Sequence, residues 1–376
     1  MSALHFDIPE RSAQLAEVRE DIRSFVQREY LDKKGEYVGD GFSREFSRKC
    51  GEAGFIGMAW SKQFGGSERS FLERYVIFEE LLAAGAPIRA HWIADRQSGS
   101  VLINYADPEI RDALLPQIVR GELCFCIGLS EANSGSDLFS VRTKAAKVEG
   151  GWRITGAKLW TSLAHVADYM IALVRTAPPT KDNRRHGLTQ FLVPMNSNGI
   201  EVRPIEDLRG AKDFNEVFFD EAFVPDNHVI GTVDEAWKQA NAELAFERSG
   251  PDRFLETIAV YFELVRLAES SSDPRLIEGL GRLTAQLFTL RQMSMSVAAM
   301  LDSGKTPAVE AALVKDLATI WQQALPEVAR RIAAGSGDEQ FRAVVTKAML
   351  LAPKLTIQGG TTEILRGIVA RGLDLR

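Results

Sequence analysis

Cysteine and histidine are scarce. Three cysteines and five histidines in 376 residues are too few and too scattered for a Cys/His metal site. Long apolar runs are missing too: none approaches the ~20 residues that span a bilayer, so membrane insertion is not expected. There is no basic excess. The 45 Lys and Arg stand against 51 Asp and Glu, a formal net charge of −6. Generic nucleic-acid binding therefore lacks its electrostatic drive. Asp7, Glu10 and Arg11 interrupt the stretch from Met1 to Leu15, which leaves no apolar core for a signal peptide. A cytoplasmic protein is the expectation. Cys124 and Cys126 lie two apart in an apolar run and share a face if that run is a strand; Cys50 is far away. Three reduced, buried thiols are expected.

What remains is ordinary globular composition, 45% hydrophobic and 26% charged, with length for two or three domains. The periodicity changes twice, giving expected domains at residues 1–121, 122–232 and 233–376. In the first, Leu15, Val18, Ile22 and Val26 recur at helical spacing between charged residues. Ser67 or Ser70 is placed to cap a helix from Phe71, and Asp107-Pro108-Glu109 reads as another helix start.

The middle part reads as strands. Phe125 to Leu129 is a strand-length apolar run, and Val141 to Val148 leads through Gly150-Gly151 into Trp152. Tyr169 to Val174, Leu188 to Pro194 and Glu216 to Phe219 are further candidates, and Pro178 to His186 reads as a loop. No ten-residue helical pattern intervenes, so an antiparallel sheet or barrel is favoured. From Glu235 the spacing predicts helices at about 235–268, 274–302, 307–334, 338–350 and 361–372. Gly250-Pro251 should break the first.

Four local patterns carry chemistry, and each has a plain structural counterpart. Leu129 to Asp137 is a polar, small-residue loop after a strand: a ligand-facing loop or a surface turn. Ile154 to Ser162 sets Trp160 beside Thr161 and Ser162. An indole there stacks on a flat ring, or is a hairpin's core Trp. Leu244 to Pro251 holds Glu247-Arg248, where Glu247 is a buried base or an exposed acid. Gln358 to Arg371 opens a helix with Gly359-Gly360-Thr361, an electron-rich-group site or an ordinary cap.

In this order and at these separations, the four patterns resemble the acyl-CoA dehydrogenase family over nearly the whole chain. Leu129 to Asp137 is similar to its Thr-Glu-Pro-x-Ala-Gly-Ser-Asp loop. Lys158 to Ser162 is similar to its Lys-x-Trp-Ile-Thr segment. Gly359 to Ile364 with Arg366 is similar to its C-terminal signature. The resemblance implies an α+β fold: an N-terminal α-helical domain, a central β-barrel-like domain and a C-terminal four-helix bundle. It implies FAD as cofactor. Ile127, Leu129 and Ser130 would line the flavin, and Ser136 would lie near its phosphates and the acyl-CoA. Trp160 would back the ring system, with Thr161 beside it and Ser162 in place of the Thr that bonds N5. Thr361 and Glu363 would sit against the cofactor. Arg248 would pair with Glu131, and Arg248 and Gly359 would border the substrate.

Most members place the catalytic Glu where this chain has Gly359, which has no side chain to accept a proton. A minority, like isovaleryl-CoA dehydrogenase, carry it on the long helix before an Arg, as Glu247 precedes Arg248. Glu247 is therefore the expected base, taking the α-proton while a hydride leaves the β-carbon. Two family segments that hold the adenine end of FAD, Arg-x-x-Phe-Gly and Gln-x-x-Gly-Gly-x-Gly, are replaced by Glu269 to Arg275 and Ala334 to Asp338. Either other residues serve here, or a non-identical partner supplies them, as in the mixed tetramers of steroid side-chain dehydrogenases. The resemblance implies an acyl-CoA substrate, an electron-transfer flavoprotein as acceptor and a homo- or hetero-oligomer. Two alternatives keep the fold: a flavin oxidase or monooxygenase like nitroalkane oxidase, and a flavin-poor assembly subunit.

Overall fold

The computed structural model describes residues 4–9, 12–33, 37, 41–237, 239, 250–335 and 337–375. In chain order the helices before the sheet are α1 (Ala13–Glu29), α2 (Arg44–Glu52), α3 (Phe71–Ala83), α4 (Arg89–Ile93), α5 (Gly99–Tyr105) and α6 (Pro108–Val119). The strands are β1 (Phe125–Gly128), β2 (Lys144–Val148), β3 (Gly151–Ser162), β4 (Tyr169–Arg175), β5 (Leu188–Pro194), β6 (Ile200–Ile205), β7 (Phe214–Pro225) and β8 (Val229–Ile230). The later helices are α7 (Asp252–Leu255), α8 (Ile258–Ala268), α9 (Pro274–Asp302), α10 (Ala308–Ile332), α11 (Glu339–Leu355) and α12 (Thr362–Gly372). Among the described residues, no helix is long and apolar enough to cross a membrane.

The chain divides into two compact units: Met1–Lys34, Ser70–Ala86 and Glu247–Arg376 form one, Gly35–Arg69 and Pro87–Phe246 the other. The N-terminal helices are thus shared between units, because α3 packs against α9 and α1 packs on α3.

Local chemistry explains the helix starts. Ser12 accepts from Leu15 N–H, and Ser70 forms a reciprocal capping box with Glu73. Asp107 accepts from Glu109 N–H with Pro108 at the first helical position. Of the predicted 235–268 helix, residues 238 and 240–249 lie outside the described region. Glu235 bridges Leu188 of β5 instead, and after Pro251 the chain forms α7 and α8. In the first unit Phe254, Leu264, Leu276, Leu290, Ala318, Leu325 and Phe341 pack into one core with Tyr75 of α3.

The second unit is built on an eight-stranded sheet of order β6-β7-β3-β2-β4-β5-β8, with β1 paired parallel to β4. Most neighbouring pairs are antiparallel; β1–β4 and a single β2–β4 contact are parallel. The sheet is open, since β6 and β8 end its path unjoined among the described residues. β6 was not expected. It is an edge strand carrying Pro204, whose missing N–H is tolerated only at such an edge. Cys50, Cys124 and Cys126 are free and buried, and burial raises each thiol's pKa.

Candidate functional site

The sequence-predicted site residues fall into two groups, one in each unit. In the sheet unit, β3 and β7 shift register between Ile154 and Gly156, pair regularly from Gly156↔Phe219 to Lys158↔Val217, and resume at Thr161↔Asn215. Two residues on β3, Leu159 and Trp160, face one on β7, Glu216, so β3 carries a bulge at Leu159–Trp160. Trp160 sits there with φ +61°, a conformation costly for a bulky residue. Its indole is 57% exposed and edge-on to Phe214, with centroids 6.1 Å apart. The structure thus decides against a core Trp. Next to it, Thr161 is buried, and its Oγ1 has no hydrogen-bond partner among the described residues. Asn215 Nδ2 donates to the Thr161 carbonyl at 2.9 Å, holding the strand after the bulge. Ser162 follows, half-buried and opposite Phe214.

The loop after β1 is tied to this strand. Ile127 lies on β1, half-buried, as are Leu129 and Ser130. Leu159 N–H donates to the Ser130 carbonyl at 2.9 Å. Lys158, fully buried, donates from Nζ to the Leu129 carbonyl at 3.3 Å and to Glu131 Oε1 at 2.7 Å. Glu131 also accepts from the backbone N–H groups of Arg142 at 2.7 Å and Thr143 at 3.0 Å. Ser134 and Glu131 exchange backbone hydrogen bonds, closing a tight turn that leaves Ser136 exposed. The partner seen on Glu131 is therefore Lys158. Arg248, expected there, and Glu247 both lie outside the described residues.

Burial pushes the Lys158 ammonium down to about 8, against the opposing pull of Glu131. Burial also raises the Glu131 carboxyl, but the Lys158 charge and the hydrogen bonds outweigh it and leave the carboxyl below its ordinary value. The Lys158–Ser162 motif by itself assigns Lys158 no role. Its signal was a cation at an inward position of an alternating strand.

In the helical unit, Thr361 caps α12, its hydroxyl accepting from Ile364 N–H at 3.4 Å. Glu363 is exposed in the first turn. Its own backbone N–H and the Thr361 hydroxyl hold its carboxyl below the usual range. Gly359 and Gly360 have φ of +70° and +103°, so the turn into α12 needs residues without a Cβ. Lys315, buried on α10, donates to the carbonyls of Leu355 at 3.2 Å and Gly360 at 3.0 Å. Asp316 pairs with Arg366 at 3.1 Å. These anchors were missed, although Lys315 interrupts the small apolar stripe of Ala311, Ala312, Val314 and Ala318. The two segments that replace the adenine-end motifs are helix junctions: Asp273 caps α9 and Asp338 caps α11 while pairing with Arg266.

The sheet unit offers an exposed indole face beside a buried hydroxyl with no partner. That pair suits a flat heteroaromatic ring with a hydrogen-bonding edge, and FAD fits it.

Comparison with known proteins agrees in chain order. Family models match at residues 12–122 (acyl-CoA dehydrogenase, N-terminal domain), 126–222 (middle domain) and 265–373 (C-terminal domain). Acyl-CoA dehydrogenase IpdE1 of Mycobacterium tuberculosis is 33% identical over 341 residues, covering 87% of this chain and 86% of that protein. Acyl-CoA dehydrogenase FadE34 of the same organism is 33% identical over 323 residues, 86% of this chain but 45% of that protein's length. Among solved structures, the Tcur3481-Tcur3483 steroid ACAD superposes with a TM-score of 0.87 at 25% identity, covering 97% of this chain and 98% of the other.

Proposed function

The chain belongs to the acyl-CoA dehydrogenase family, and from that premise we propose that it carries out FAD-dependent α,β-dehydrogenation of an acyl-CoA thioester. The carrying observation is the exposed, positive-φ Trp160 beside the unpartnered Thr161 hydroxyl. When bound, FAD supplies the acceptor for the hydride that leaves the β-carbon. The chain's own residues do the rest. Glu247 takes the α-proton, because Gly359 cannot. Trp160 offers its face to the ring system. Thr161 and Ser162 supply hydroxyls at its edge, and Ile127, Leu129 and Ser130 line it. Ser136 serves the phosphate end. Thr361 and Glu363 serve the cofactor, and Arg248 and Gly359 border the thioester.

The acceptor of the electrons in this reading is an electron-transfer flavoprotein. The missing adenine-end segments support an oligomer in which another chain completes the FAD site. The likeness to a steroid ACAD makes a steroid-bearing acyl-CoA the first substrate to try.

The test is anaerobic stopped-flow of the FAD-loaded protein with acyl-CoA. Wild type should lose its oxidised-flavin absorbance, and Glu247→Gln should retain FAD yet lose it at least ~10²–10⁴ more slowly. A Glu247→Gln rate within a fewfold of wild type would move the base elsewhere. A folded protein that takes up no FAD, with or without candidate partners, would sink the whole reading.

A further inference from the structure

We propose that Lys158 is a positioning residue for the cofactor-facing surface, its ammonium fastening the loop after β1 to the strand segment that carries Trp160. This inference rests on the flavin reading above and deepens it.

Lys158 is the last β3 residue in regular register before the bulge, paired with Val217, and Trp160 follows two positions later on the bulge itself. The lysine is fully buried while Trp160 is exposed, so one short segment plants an anchor and presents an indole. The anchor reaches two successive parts of the loop: the Leu129 carbonyl at 3.3 Å and the Glu131 carboxylate at 2.7 Å. Ser130, between them, is held by Leu159 N–H at 2.9 Å. Glu131 in turn is fixed by the N–H groups of Arg142 and Thr143, just ahead of β2. Three consecutive loop residues are thus referenced to the strands beneath them.

The approach of the lysine is itself built in. A Cβ on Gly128 would stand 3.2 Å from Lys158 Cγ and 2.5 Å from Met170 Sδ, so the stem packs where β1 has no side chain. A buried ion pair is a weak source of stability, since well-packed apolar replacements of both partners are often neutral or better. What the pair does provide is direction: a charge-assisted contact that accepts one loop conformation.

The test separates positioning from mere stability. Lys158→Met/Glu131→Gln removes both charges together, leaves a side-chain oxygen to accept from Arg142 and Thr143 N–H, and should melt within a few degrees of wild type. Its FAD should nonetheless dissociate at least about 10-fold faster, with a shifted visible flavin spectrum. If the double variant holds FAD as wild type does, with the same spectrum, the positioning role is wrong. Should the double variant fail to fold, Glu131→Gln keeps the shape and an acceptor for Lys158 but removes the counter-charge. Faster FAD dissociation at an unchanged melting temperature supports the role, and unchanged dissociation overturns it. Wild-type protein that never binds FAD would instead refute the functional reading.

Discussion

Lys158 and Glu131 both have folded values below their ordinary ones, so stability from each rises with pH, in different windows. Glu131 has its folded value depressed, so its contribution is present at neutral pH and is lost as pH falls through that value. Lys158 is also depressed, from 10.5 to about 8, mainly by burial. For a cation this means that the unfolded chain holds the proton longer. Between about pH 8 and 10.5 the unfolded state binds more protons, so stability from this group rises with pH. Glu131 faces the ammonium from the loop, and Met170 and Val217 around the lysine are apolar. Relative to Lys158→Met/Glu131→Gln, wild type should gain on the order of 1–2 kcal/mol from pH 7.5 to 9.5, read from urea midpoints. An unchanged difference would mean that Lys158 titrates near its solution value. Trp160 shows what the sequence left open at this scale. An indole two residues after a strand lysine suits a core or a ligand face, and only the bulge decides.

Elements formed where local signals agree. The helices from Phe71, Pro108 and Pro274 start at cap residues visible in the sequence, and the Leu188–Pro194 strand was read to the residue. β3 runs on through Ser162 because its second half pairs with β7, a partner more than fifty residues away. β6 escaped notice because Pro204 masks a short edge strand. The start of α12 depends on α10, through Lys315 and the carbonyls of Leu355 and Gly360. Lys315→Met should cost about 1–3 kcal/mol, by loss of two charge-assisted hydrogen bonds. Amide exchange should quicken across residues 356–372 and change little in α9. Equal exchange in both proteins would show that other contacts hold the turn.

For the whole molecule, the apolar residues of α9 divide by role. Leu283, Leu290 and Val297 are buried, and Ile277 and Phe288 are exposed. Leu317 and Ile320 of α10 and Met349 and Leu350 of α11 are exposed as well. These exposed apolar residues are the candidates for an association face. A dimer or tetramer, alone or with a non-identical chain, is the expected state by light scattering at micromolar concentration. A monomer with FAD bound would count against a cofactor site shared between chains.

The order of helices, sheet and helices, and the family, were legible in the sequence alone. Period, caps and short motifs are local properties that survive without knowledge of neighbours. The division into two units was not, nor the open sheet, the bulge under Trp160, or the buried ammoniums of Lys158 and Lys315. Each depends on cross-strand register or helix packing between residues far apart in the chain. Burial, the cause of the Lys158 shift and of the unpartnered Thr161 hydroxyl, exists only once those distant segments have met.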